Sequence, residues 1–334
     1  MKVDFHVRLQ EGSHSLEWLQ RTAQSLQPLV SSQPSGSPGW AQALARKLAE
    51  RIGGGAYNRE WLELYRHRAK GSGVQVVGVV EHLYRFVEFR DLYAAHVQLG
   101  GDRVGLLQRR WLDQVSCESL SAYVLFMEEE QRRWAEDGIA LKIGIALDFF
   151  AGAEDELSRV IRAYPWDFCL GKVRFVDGRG LHLPDVRERF AQRGRSGSYS
   201  DYFDLVEQAV ESGLFDLLAD VDGLRYFGGM ADQTSFLRYY QRLARALKRH
   251  DVAVEIQPFG AVVPFRKPSN GYVLLEILAQ HKVAVTVASG ACYPEQLGQH
   301  WEEASEVLKR AGIDSIAVYD RRVRQTLPLG QRIV

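Results

Sequence analysis

The sequence predicts an α/β protein, a single closed barrel of parallel strands, and three observations carry that expectation. Short apolar runs alternate with amphipathic stretches along all 334 residues, which is the pattern of repeated βα units. No change of composition divides the chain, so roughly seven or eight repeats favour closure over an open sheet. Several apolar runs also end in polar residues, and in such barrels the carboxyl ends of the strands carry the chemistry. The reading is one unit over residues 1–334.

The first run is Val3-Asp4-Phe5-His6-Val7-Arg8. On a strand Asp4, His6 and Arg8 share one face and Val3, Phe5 and Val7 the other. Charge inside a core is costly unless it is paired or bound, so this strand is either wet on one face or part of a site. Ser13-His14-Ser15 precedes Leu16, Trp18, Leu19 and Thr22, as in a capped amphipathic helix. A low-complexity loop covers 31–39, and helices are expected over 40–52 and 58–70. The second of these has Glu60 and Glu63 early and Arg66, Arg68 and Lys70 late, the order favoured by the helix dipole.

The β-branched run 74–80 reads as a strand buried on both faces and leads into Glu81-His82. A helix is expected over 119–137, with Glu128, Glu129 and Glu130 followed by Arg132 and Arg133 as a solvated face of i,i+3 and i,i+4 pairs. Strands then read at 140–147, ending at Asp148, and at 168–175, carrying Lys172 and Arg174. A helix at 201–212 precedes a strand at 214–218 that ends near Asp220 and Asp222. Next come a helix at 233–250, a strand at 252–256, a helix at 272–281 and a strand at 283–288 leading to Cys292. A helix at 295–310 and a short strand at 315–319 close the pattern. His6, Arg8, Glu81, His82, Asp148, Arg174, Asp220, Asp222 and Cys292 thus fall at the expected carboxyl ends.

The 42 basic and 42 acidic residues cancel, so charge gives no sign of a nucleic-acid partner. Cys117, Cys169 and Cys292 have no CxxC spacing and suit a reducing compartment. The first residues lack the basic and apolar regions of a signal peptide. No uncharged apolar run is long enough for a bilayer. The expectation is a soluble cytoplasmic protein without a membrane partner, of open oligomeric state.

Nearly the whole chain resembles the PHP (polymerase and histidinol phosphatase) superfamily, in its histidinol-phosphatase-like branch. The resemblance rests on Asp4-Phe5-His6, Gly78-Val-Val-Glu-His82, Leu141-Lys-Ile-Gly-Ile-Ala-Leu-Asp-Phe149 and Tyr164-Pro-Trp-Asp-Phe-Cys-Leu-Gly-Lys-Val-Arg-Phe175. It continues in Glu211-Ser-Gly-Leu-Phe-Asp216 and in the stretch from Val283 through Cys292 to Gly298. It implies a distorted TIM-like (β/α)7 barrel, up to three divalent metals and hydrolysis of phosphate esters. Residues 27–70 resemble a helical insertion found in one branch.

The chain departs from that pattern at ligand positions. The opening His-x-His reads His6-Val7-Arg8, and a bridging Glu is replaced by Ala146. A ligand His is replaced by Arg174, another by Asp220, and the closing Asp-x-His reads Gly290-Ala291-Cys292. Arg is a permanent cation and no metal ligand. Without the shared carboxylate, the metal pair that lowers the pKa of a bound water is compromised. The full trinuclear site is therefore not expected. The resemblance leaves one sub-site, a single zinc at His14, His82 and Cys292, since zinc accepts both His and Cys. His6 and Asp220 are further metal candidates.

Three functions follow from these residues. The leading one is a barrel weak or inactive as a phosphatase that binds a small phosphorylated or anionic molecule through Arg8, Lys172 and Arg174, because Arg forks match phosphate oxygens. The second is a working metal-dependent phosphoric monoester hydrolase using His6, His82, Asp148, Asp220 and Cys292. The third is a structural or interaction protein whose pocket is filled by Arg–Asp pairs, with Asp220 available to Arg174.

Overall fold

A computed structural model describes residues 1–9, 14–186, 188, 195–222, 236–257 and 273–329. Seven parallel strands form one sheet: β1 (Lys2–Val7), β2 (Val74–His82), β3 (Ala140–Asp148), β4 (Phe168–Lys172), β7 (Leu217–Leu218), β8 (Ala253–Ile256) and β9 (Val285–Val287), in the order β1-β2-β3-β4-β7-β8-β9. Each neighbour pair runs parallel. The strands are buried on both faces, which explains their near-continuous Val, Ile and Leu runs. The architecture is the α/β, TIM-like barrel read from the sequence.

The sheet curls until its two edges meet. No ladder joins β1 to β9 among the described residues. Instead, buried Asp4 accepts from the Ser289 amide at 2.8 Å, the Ser289 hydroxyl at 2.5 Å and the Gly298 amide at 2.8 Å. The Arg8 amide donates to the Ala291 carbonyl at 2.8 Å.

Inside the ring, Phe168 occupies space left by two glycines. A Cβ on Gly144 would lie 2.2 Å from its ring, and one on Gly78 3.0 Å. Phe5 packs on the same ring with centroids 4.8 Å apart.

Helices wrap the sheet, several started by the side chains expected to cap them. Ser15 caps the helix Leu16–Leu26, Ser37 caps Pro38–Gly54, Asn58 caps Arg59–Ser72 and Ser119 caps Leu120–Glu136. Of the Ser13–Ser15 start signal, Ser15 makes the cap and Ser13 lies outside the described residues.

The differences from the sequence reading have local causes. The strand expected over 168–175 stops at Lys172. Phe175–Val176 (β5) instead pairs antiparallel with Arg179–Gly180 (β6), so Arg174 sits on the loop between. The helix expected from 295 begins at Trp301, because Gly298 and His300 take left-handed φ values of 69° and 60°. The last strand is Ser315–Asp320 (β10), which pairs antiparallel with Val323–Pro328 (β11) in a hairpin of its own, not in the barrel. Helices Arg90–His96, Arg103–Val115 and Glu154–Ala163 were not anticipated. The helix Leu237–His250 starts after the expected 233, whose first residues fall outside those described. The same holds for position 272, ahead of Val273–Gln280. Glu130 is not on a solvated face: it is buried, bonded by Arg133 at 2.7 Å and by Arg59 at 3.2 Å.

The hairpin closes the end of the barrel opposite the carboxyl ends. Arg322 Nε holds both carboxylate oxygens of Asp216 at 3.1 and 3.0 Å. Asp167 accepts from the Arg321 amide, and Tyr319 donates to the Asp216 carbonyl. No helix among the described residues is long and apolar enough to cross a membrane.

Candidate functional site

The carboxyl ends of the strands bring together His6 and Arg8 from β1 and its exit, His82 from β2, and Asp148 from β3. Lys172 comes from β4, Arg174 from the loop after it, Asp220 from just past β7, Glu255 from β8 and Cys292 from beyond β9. Most of these side chains are buried, so their charges must be satisfied locally.

His6 is 2% exposed and its Nδ1 lies 2.8 and 3.0 Å from the two carboxylate oxygens of buried Glu255. Gln257 donates to Glu255 at 2.5 Å. Burial lowers the His6 pKa below the ordinary imidazole value and outweighs the opposing pull of Glu255, with Lys172 and Arg8 adding to the lowering. The ring is then neutral near pH 7, and Nδ1–H is the donor to the carboxylate.

His82 lies edge-on to His6, with centroids 6.2 Å apart, and stacks on Tyr84 at 4.9 Å. Burial, followed by the Lys172, Arg174 and Arg8 charges, holds its pKa well below the usual value.

Two of the three cations contact acidic groups. Arg174 grips Asp148 with Nε and Nη2 at 2.6 and 2.5 Å, and Tyr93 donates to the same carboxylate at 2.7 Å. The Arg174 guanidinium also covers the Tyr84 ring at 4.4 Å. Burial opposes its charge, but Asp148 prevails and the pKa is raised. The sequence reading offered Asp220 as the partner of Arg174. The structure gives that role to Asp148 and sets Asp220 at 3.7 Å from Lys172.

Arg8 points its Nη2 at the Cys292 sulfur, 2.6 Å away. The Arg8 pKa is raised, with this neighbouring sulfur the first cause and burial opposing it. Its Nε is buried and makes no hydrogen bond.

His14 stands apart. It is exposed and packs edge-on against Trp18 at 4.6 Å. Among the described residues, no group of three or more His, Cys, Asp and Glu side chains is placed to hold a metal ion. Cys292 faces Arg8, and Asp148 pairs with Arg174.

Sequence reasoning missed Glu255, Gln257, Tyr84 and Tyr93. Glu255 had a signal, being the one charged residue in the apolar run Ala253–Ile256. Tyr93 sits on a helix that the apolar pattern did not reveal.

A parallel barrel with polar groups converging at its carboxyl ends is the TIM-like arrangement, and comparisons with known proteins narrow the likeness. No known family pattern matches the chain. A protein of Deinococcus radiodurans called "Probable histidinol-phosphatase" is 23% identical over 218 residues, covering 64% of this chain and 82% of that protein. The crystal structure of histidinol phosphate phosphatase from Lactococcus lactis, complexed with zinc, L-histidinol and phosphate, superposes with a TM-score of 0.64 at 13% identity, covering 97% of this chain and 98% of the other. A structure from Listeria monocytogenes assigned as a histidinol phosphatase gives 0.55 at 16% identity, covering 72% and 93%. The chain is thus similar in sequence to a protein called a probable histidinol-phosphatase and in fold to structures of histidinol phosphatases.

Proposed function

We propose that this protein binds a small phosphorylated or anionic molecule at the carboxyl ends of the barrel strands and is weak or inactive as a metal-dependent phosphatase. The observation that carries the reading is Arg8. Its guanidinium reaches into the polar cluster with a buried Nε that makes no hydrogen bond and an Nη2 whose partner, among the described residues, is a sulfur. Sulfur is a weak acceptor, and a phosphate oxygen is a far better partner for both atoms. Lys172 adds a second donor and Arg174 a second guanidinium charge. Chemistry of the same kind is bound in the Lactococcus relative, which holds L-histidinol and phosphate.

The test is stabilisation by inorganic phosphate in denaturant titrations at constant ionic strength. At about a hundred dissociation constants the gain should be about 2.7 kcal/mol, and Arg8→Met should abolish it. If phosphate at millimolar concentrations leaves the unfolding midpoint unchanged, the anion reading fails. The interaction reading, which the Arg174–Asp148 pair favours, then leads.

A second reading draws on the zinc in the Lactococcus relative. A metal-dependent phosphoesterase would use His6, His82, Asp148, Asp220 and Cys292. Elemental analysis of protein purified without tag or chelator separates the cases. Two or more metals per chain with turnover would favour the enzyme. A single zinc lost on Cys292→Ala would favour the site at His14, His82 and Cys292.

A further inference from the structure

We propose that Tyr65 and Arg51, on the two helices that precede β2, are positioning residues for Arg8, holding the backbone from which its guanidinium enters the site. The inference rests on the anion-binding reading above. β1 ends at Val7, whose pairing with Val79 is the last of the ladder, so the sheet gives no support to the two residues that follow. Each of their backbone groups instead finds a separate partner, as buried backbone must. The Arg8 amide donates to the Ala291 carbonyl at 2.8 Å, and the Leu9 amide to Glu81 Oε1 at 3.0 Å. Tyr65 Oη donates to the Arg8 carbonyl at 3.1 Å, and Arg51 Nη2 to the Leu9 carbonyl at 3.3 Å.

Both helix donors are fixed by packing. Tyr65 is fully buried and meets the Trp61 ring edge-on, with centroids 5.8 Å apart. Arg51 is 3% exposed. It lies over the same indole at 4.8 Å and also donates to the Gly55 carbonyl at 2.6 Å. A buried guanidinium is costly, and an apolar side chain of similar volume would fill the space without that cost. What the cation adds is a donor to the Leu9 carbonyl.

The clamp matters to Arg8 because of what a guanidinium needs. Its planar fork matches phosphate oxygens in a defined orientation, so a shift of the backbone that carries it is felt at the ligand. An ammonium on a flexible stem is far less sensitive to such a shift. Tyr65 and Arg51 thus act through the backbone of Arg8 and Leu9, and neither is assigned a contact with the anion.

The test measures phosphate affinity on the full chain, from the shift that inorganic phosphate produces in the urea midpoint at constant ionic strength. A loss of fold stability alone lowers the midpoint with and without phosphate and leaves that affinity unmoved. Tyr65→Phe keeps the ring and removes the donor, and it should weaken phosphate binding about three- to tenfold. In an Arg8→Lys background, with phosphate titrated to higher concentration, the same substitution should change the affinity by less than about twofold. Arg51→Met should also weaken binding, and Arg51→Lys, which keeps a donor, should restore part of it. If Arg51→Met does not fold, the two measurements on Tyr65→Phe still decide the matter. An unchanged affinity in Tyr65→Phe overturns the positioning role and leaves anion binding standing, as does an equal loss in both backgrounds. If phosphate does not stabilise the unsubstituted chain, the anion reading falls and the positioning role falls with it.

Discussion

Arg174 meets Asp148 fork on fork, Nε to Oδ1 and Nη2 to Oδ2, at 2.6 and 2.5 Å. The pair ties the loop after β4 to the end of β3, and the guanidinium covers Tyr84. Here a side chain of the protein supplies positive charge at a carboxylate on the barrel's functional face.

Breaking that pair should therefore be costly. Arg174→Met leaves Asp148, 1% exposed, with Tyr93 alone, and we expect a loss of about 3–5 kcal/mol in unfolding free energy. The double variant Arg174→Met/Asp148→Leu should recover much of it, because it removes the uncompensated charge along with the pair. Urea titration of the two singles and the double measures the coupling.

Acid should weaken the fold through its histidines. Burial lowers the pKa of both His6 and His82 in the folded state, so below about pH 6.5 the unfolded chain binds protons that the folded one refuses. Stability should fall as pH drops from about 6.5 to 5, and His82→Gln should flatten that fall. Denaturant titrations at a series of pH values read it directly.

Asp4 acts in the opposite sense. Burial outweighs its hydrogen bonds to Ser289 and Gly298 and pushes its pKa up to about 6. Its contribution is present at low pH, below the unfolded carboxyl value, and is lost as pH rises through about 6. Asp4→Asn should remove this opposing slope, so that the acid loss from the histidines becomes steeper.

The glycine under Phe168 tolerates no methyl group. Gly144→Ala would set a Cβ 2.2 Å from a packed ring, and we expect a loss of about 1–3 kcal/mol or more. Gly144→Ala/Phe168→Leu should regain part of it, as thermal unfolding of the single and double variants would reveal.

The hairpin that shuts the far end of the barrel hangs on Arg322. Its guanidinium serves Asp216 and the Leu214 carbonyl together, so Arg322→Ala should cost roughly 1–3 kcal/mol. Amide exchange in β10 and β11 should quicken more than in β2 and β3.

The sequence revealed the parallel barrel because its strands are buried on both faces and stop abruptly at polar residues. His82 and Asp148 stand at the very ends of β2 and β3 for that reason. What was hidden depended on distant pairing. Glu255 meets His6 across 249 residues, and nothing in the run Ala253–Ile256 says which histidine it faces. Tyr93 reaches Asp148 from a helix of seven residues, too short to show an amphipathic repeat. Arg174 left its expected strand because a small antiparallel hairpin follows Lys172, and a turn of that kind competes locally with the barrel pattern. The start of the last helix moved for a similar reason, as left-handed residues at Gly298 and His300 broke a run whose composition is helical.

The clasp between Asp4 and Ser289 joins partners 285 residues apart, and the Gly298 amide that completes it comes later still. The six ladders of the sheet join strands in chain order, so the pairing that closes the ring is the one between the first strand and the last. The ring cannot shut until its last donor has left the ribosome. Until then β1 is an unlatched edge, and the Asp4 carboxylate lacks the donors that hold it in the finished barrel.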